Sequence, residues 1–124
     1  SGCNLIAMAL KNYPNDEEIT TQALMAIQNL ANNNELNNTL LGNAGICEEI
    51  VNVMNIHITD ELITQRGCMA IMNLSYNHTI NKTKLTSAGI SDILISALSL
   101  HSGNASVSEF AFGALVNLTD IDDF

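Results

Sequence analysis

The sequence predicts an all-α chain of the α-solenoid class, and three observations carry that expectation. One stretch is written three times: ALMAIQNLA from Ala23 to Ala31, GCMAIMNLS from Gly67 to Ser75, and AFGALVNLT from Ala111 to Thr119, each 44 residues after the last. Its apolar letters fall at helical and not at strand spacing. Under the same shift Ala44-Gly45-Ile46 lands on Ala88-Gly89-Ile90, so the period is longer than one helix. A fixed period of about 20–50 residues marks arrays whose units bury their faces against one another.

Each period reads as three helices, beginning with a leading helix from Leu5 to Lys11 and a turn at Pro14. A long helix follows near Asn15-Asp16-Glu17-Glu18, where a capping residue and first-turn carboxylates suit the positive end of the helix dipole. A short helix from Leu36 to Ala44 precedes Gly45, a position for a left-handed helix end, and a middle helix spans Ile46 to Ile56. The set then returns: a long helix from Thr59-Asp60-Glu61, a short one from Ile80 to Ala88 closed by Gly89, a middle one from Ile90 to Leu100, and a third long one capped by Asn104. In the second long helix, positions 63, 67, 70, 71 and 74 form the inward stripe, with small Gly67 and Ala70 admitting a close neighbour. No alternating strand pattern lies between these segments.

The apolar columns follow the period: Ile19, Ile63 and Val107; Leu24, Cys68 and Phe112; Ala26, Ala70 and Ala114; Ile27, Ile71 and Leu115; Leu30, Leu74 and Leu118. The expected organisation is a single domain over 1–124, with a partial unit at about 1–31 and full units at about 32–75 and 76–119. Leu5, Ile6, Met8 and Leu10 at the front, and Phe110, Phe112, Ile121 and Phe124 at the back, leave apolar ends without a polar cap. The expectation is therefore a fragment of a longer array, or ends that pair with another chain.

Composition narrows the function classes. Hydrophobic residues make up 47% of the chain and aromatics only 4%, so the core must come from Leu, Ile, Met, Val and Ala. Four Lys and Arg against a net charge of −9 disfavour nucleic-acid binding, which needs a basic face. Cys3, Cys47 and Cys68 are an odd set without CxxC spacing, which predicts a reducing, intracellular setting: the cytoplasm, with the nucleus as the alternative. No signal peptide or apolar run of about 18 residues is present, so no membrane span is expected.

No Ser/His/Asp set, phosphate loop or pair of catalytic carboxylates stands out, so the expectation is no enzyme, no cofactor and no metal. His57 and His101, one period apart, read as packing at helix ends. Cys68 reads as core, while Cys47, aligned with Ser91, is expected to be partly exposed but has no base at fixed spacing. The acidic clusters Asp16-Glu17-Glu18 and Asp120 to Asp123 read as helix-start and solvated charge.

The texts NELNNTLLGNAGICEEIVNVM…ITQRGCMAIMNLS and NHTINKTKLTSAGISDILISALSL…VSEFAFGALVNLT resemble the armadillo repeat over almost the whole chain. That resemblance implies an armadillo-type α-solenoid, a right-handed superhelix of three-helix repeats whose third helices line a concave groove. It also implies no enzymatic activity and a groove that binds an extended peptide or protein segment. The family's ladder asparagine maps to Asn29, Asn73 and Asn117. A carboxamide carries both a donor and an acceptor, so it can pair with the N–H and C=O of one residue of an extended chain. The position four before it is commonly Trp in the family's nuclear-import adaptors. Here it is Met25, Met69 or Gly113, which removes cation–π capture of basic side chains.

Helical spacing groups Gln22, Met25 and Asn29 on one face, then Arg66, Met69 and Asn73, then Phe110, Gly113 and Asn117, with Asn77 continuing past the second helix. The peptide-binding groove is thus expected to comprise Asn29, Asn73, Asn117, Met25, Met69, Gln22, Arg66, Phe110 and Asn77. Two roles stay open for the asparagines: gripping a foreign backbone, or bonding the neighbouring helix and fixing its register. Two functions stay open as well, a module for a protein or peptide partner and an assembly element that forms homo-oligomers or extends through its apolar ends.

Overall fold

The computed structural model describes residues 2–119; Ile121, Phe124 and the acidic run from Asp120 to Asp123 lie outside the described residues. Eight helices follow one another, and no strand occurs among the described residues: α1 Gly2–Asn12, α2 Glu17–Ala31, α3 Glu35–Asn43, α4 Ile46–Ile56, α5 Glu61–Ser75, α6 Thr79–Ser87, α7 Ile90–Leu100 and α8 Ala105–Thr119. The expected all-α class holds. Helices α2, α5 and α8 are 15 residues long, α3 and α6 are 9, and α4 and α7 are 11, so lengths recur with the sequence period.

The helix starts follow from their capping residues. Asp16 and Asp60 each accept the backbone N–H three residues on at 2.9 Å, and Asn104 does the same for Val107 at 3.0 Å. The two short helices begin one residue earlier than their apolar letters indicated. Asn34 Oδ1 caps α3 through the Asn37 N–H, and His78 Nδ1 caps α6 through the Asn81 N–H. Helix α1 is longer than the expected Leu5–Lys11 at both ends. Gly45 and Gly89 lie at φ 88° and 94°, the left-handed region that costs a Cβ-bearing residue about 1–2 kcal/mol. Asn33 and Asn77, both at φ 50°, are the non-glycine residues in that region among the described residues. Asn is among the side chains that tolerate it.

Packing runs in the order of the period. The closest associations are α2 with α5 and α5 with α8, and α1 packs on α4 as α4 does on α7. The core is aliphatic, with Leu24, Ile27, Ile46, Ile50, Met54, Ile63, Ile71, Leu74 and Ile90 fully buried. Each such side chain contributes about 1.5–3 kcal/mol of transfer free energy. At Gly67 a Cβ would lie 2.7 Å from Met54, so its absence is what lets α4 seat on α5.

Details of burial differ from the sequence expectations as well. Cys47 is fully buried, because it faces into the core from the first turn of α4. Leu10 is fully buried within the front helix, whereas Leu5 and Met8 are exposed. In the column Leu24, Cys68 and Phe112, the first two are 0% exposed and Phe112 is 57% exposed. The reason is local: α2 and α5 are each followed by another long helix, while among the described residues none follows α8. No helix among the described residues is long and apolar enough to cross a membrane.

Candidate functional site

The candidate face is the row formed by α2, α5 and α8. The three ladder asparagines stand near the C-terminal ends of these helices, and two of them are bonded within the chain. Asn73 Nδ2 donates to the Gln28 carbonyl at 3.0 Å, and Asn117 Nδ2 donates to the Met72 carbonyl at 2.8 Å. Each amide thus reaches the residue just before the preceding asparagine. Asn29 is exposed and has no hydrogen-bond partner among the described residues. Both bonded asparagines are only half-buried, and each keeps its Oδ1 and a second N–H without a partner among the described residues.

The remaining face residues vary in exposure. Gln22 and Asn77 are exposed, while Met25, Arg66, Met69 and Phe110 are half-buried. Met25 and Met69 stay out of the apolar core, which takes Met54 fully and Met72 and Phe110 in part. Arg66 makes no hydrogen bond or ion pair among the described residues, and its Nε is buried without a partner. At Gly113, a Cβ would lie 2.7 Å from Met72 Sδ, so the glycine is a contact point between α5 and α8.

A second set of polar side chains ties the turns between helices, and the sequence reading had not singled it out. Asn37 Nδ2 donates to the Leu30 carbonyl at 2.8 Å, and its period partner Asn81 repeats this on Leu74 at 3.1 Å. Asn81 Nδ2 also reaches the Asn38 carbonyl, and Asn38 Nδ2 reaches the Asn73 carbonyl. His78 accepts at Nδ1, which leaves the proton on Nε2 to be donated to Thr39 Oγ1 at 2.9 Å. The recurrence of Asn at 37 and 81 was the available signal, and it was submerged in an Asn-rich chain.

The histidine pair behaves as one device used twice. His57 Nε2 donates to the Pro14 carbonyl and His101 Nε2 to the Ile58 carbonyl, both at 2.7 Å. Both rings are buried, and each clamps the turn that lies one period before it. No group of three or more His, Cys, Asp or Glu side chains that could hold a metal occurs among the described residues. Burial pushes the thiols of Cys47 and Cys68 up to about 12, with the Glu48 carboxylate adding to the effect at Cys47.

A cleft of about 540 Å3 lies between α1 and α2. Leu5, Ile6 and Ala9 form one side of it, Ile19, Gln22 and Ala23 the other, with Asp16 and Glu18 beside them. Only Gln22 belongs to the candidate face. A smaller pocket of about 150 Å3 involves the turns after α2 and α5 and includes Asn77.

No protein-family model matches the chain, and neither a curated protein nor a solved structure does.

Proposed function

We propose that the chain is an armadillo-type α-solenoid segment, without catalytic activity, that binds an extended peptide or protein segment along the face of α2, α5 and α8. The observation that supports this reading most is the state of the three carboxamides. Asn73 and Asn117 each use one N–H within the chain and retain an acceptor and a donor, and Asn29 retains its whole amide. A free acceptor and donor on one carboxamide are what one residue of an extended backbone requires. Met25 and Met69, flexible and outside the core, provide tolerant apolar contact between the rungs. Each hydrogen bond contributes about 0.5–1.5 kcal/mol net, so side-chain pockets must supply the rest.

The test uses Asn29, because its replacement disturbs no hydrogen bond among the described residues. A binding peptide is first selected from a random decapeptide display library on the full chain. Asn29→Ala should then weaken it by about 0.5–1.5 kcal/mol at unchanged thermal stability. Peptides bound equally well by the wild type, Asn29→Ala and Met69→Ala would overturn the groove reading.

A second reading is favoured by a different observation: Leu5 and Met8 on α1, and Phe112 and Val116 on α8, are exposed apolar side chains at opposite ends of the helix row. In that reading the chain assembles through its ends. Sedimentation across a concentration series separates the two, since a strict monomer that binds peptides through Asn29 leaves no role for end-to-end assembly.

A further inference from the structure

The two short helices begin alike but are capped by different side chains. Positions 34 and 78 are one period apart. Asn34 Oδ1 caps α3 by accepting the Asn37 N–H at 2.9 Å, and His78 Nδ1 caps α6 by accepting the Asn81 N–H at 3.2 Å. A carboxamide oxygen accepts across the ordinary pH range, whereas an imidazole nitrogen accepts only while the ring is neutral. Because the capped donor is a backbone N–H, Nδ1 holds a lone pair, and the ring proton sits on Nε2, facing Thr39 Oγ1 at 2.9 Å. The ring is 7% exposed, so it ties the start of α6 to α3 out of solvent. The residue it caps, Asn81, in turn holds the carbonyls of Asn38 and Leu74. His57 and His101 differ: each donates through Nε2 to a backbone carbonyl, a bond that a second ring proton leaves in place.

We propose that His78 is a proton-operated latch: its neutral ring closes the first turn of α6 onto α3, and a proton on Nδ1 opens that turn while the Asn34 cap of α3 stays shut. The protonated ring sets one N–H against another and places a positive charge at the positive end of α6. Among neighbouring groups, Lys82 adds a like charge one turn further along α6. Glu35, in the first turn of α3, favours the charge but is exposed and screened, and Tyr76 lies beside it after α5. The other ionisable groups on helices packed against α6 stand further off. Glu61, Arg66 and Cys68 precede the last turn of α5. Cys47, Glu48 and Glu49 of α4 and Asp92 of α7 stand in first turns beside the far half of α6, where Lys84 acts on Cys47. Glu109 lies nine residues before Leu118, where α8 meets α6. The folded junction uses the neutral ring, while an unfolded chain takes the proton at about pH 6.5. The latch therefore contributes fully above that pH and is lost as pH falls below it. The proposal goes beyond the groove reading and does not depend on it.

The test follows the 15N-labelled full chain by NMR between about pH 8 and about pH 5, a range that spans the titration of a free imidazole. At the upper end the ring nitrogens of His78 should show the neutral form with its proton on Nε2. On acidification, protection of the Asn81 amide against hydrogen exchange, corrected for the intrinsic rate, should fall about fivefold, the loss of one helix cap. The Asn37 amide, under the Asn34 cap, should keep its protection. His78→Asn places at 78 the residue that the period has at 34, so it should hold the Asn81 amide at constant protection over the same range. A ring proton on Nδ1 at the upper pH overturns the latch, as does Asn81 protection unchanged in the wild type down to the lower pH. Equal losses at Asn37 and Asn81 overturn it too, and so does an Asn81 loss that persists in His78→Asn. Should that variant fail to fold, the tautomer and the comparison of the two amides within the wild type decide.

Discussion

Asn73 and Gln28 are joined across two helices: the side-chain amide of the first donates to the backbone carbonyl of the second at 3.0 Å. Asn117 and Met72 repeat the arrangement on the next pair. The side chains that would meet a ligand therefore also fix the register of α2, α5 and α8. In Asn73 and Asn117 one N–H is committed to the stack, and the rest of the carboxamide is what the proposed ligand would meet.

Stability should report the inward half. Asn73→Ala is expected to lower unfolding free energy by about 1 kcal/mol, because a half-buried carbonyl loses its donor. Asn29→Ala should change it by less than about 0.5 kcal/mol, as surface substitutions generally do. Urea midpoints at constant m-value give the comparison. Equal shifts for the two variants would contradict the assigned bond.

Gly67 and Gly113 look alike in the period but should respond differently to alanine. At Gly67 the new Cβ meets Cγ, Sδ and Cε of Met54 at 2.7–2.8 Å, and Met54 is fully buried with nowhere to move. Gly67→Ala should cost about 1–3 kcal/mol, as overpacking does. At Gly113 only Met72 Sδ is close, and Met72 is half-buried. There the helix-propensity gain of about 1 kcal/mol offsets the adjustment, so Gly113→Ala should be near neutral. Thermal melts of the two variants, run side by side, decide the order.

The raised thiols give a pH dependence with a definite sign. Cys47 and Cys68 are held protonated in the fold up to about 12, from an ordinary value of 9.0. Between those values the unfolded chain loses protons that the folded chain keeps, so stability declines as pH rises from about 9 toward 12 and is unaffected by these groups below 9. Cys47→Ser with Cys68→Ser should flatten that alkaline decline in urea titrations. At pH 8 iodoacetamide should modify both residues only as fast as the chain opens, since the thiolate is the nucleophile.

Much of the helix plan was legible in the letters because caps and periodicity are local. Asp16, Asp60 and Asn104 mark three starts, Gly45 and Gly89 mark two left-handed ends, and Ile46–Ile56 and Ile90–Leu100 match their helices end to end. The short helices were displaced by one residue because their polar caps, Asn34 and His78, carry no apolar signal. Burial of Cys47 was missed because its column partner is Ser91, and a column constrains a position only where neighbours are alike on both sides. The asparagines at 29, 73 and 117 were legible as a period, but letters cannot say which prong of a carboxamide turns inward. That depends on the axial offset of adjacent helices, which places the Gln28 and Met72 carbonyls within reach of Asn73 and Asn117.

Gly42 and Asn81 give the sharpest test of the turn network. Asn81 is fully buried, and its Nδ2 is shared between the Asn38 and Leu74 carbonyls, so its carboxamide cannot swing away. A Cβ at Gly42 would collide with its Oδ1. Gly42→Ala alone should therefore destabilise by about 1–3 kcal/mol despite the helix-propensity gain. Asn81→Ala alone should cost about 2 kcal/mol by removing two buried hydrogen bonds. In the double variant the collision partner is gone while the propensity gain remains, so the loss should fall short of the sum by at least about 1 kcal/mol. A urea double-mutant cycle measures that coupling directly. Strict additivity would mean that the carboxamide yields to the new methyl, and that the two bonds do not hold it in place.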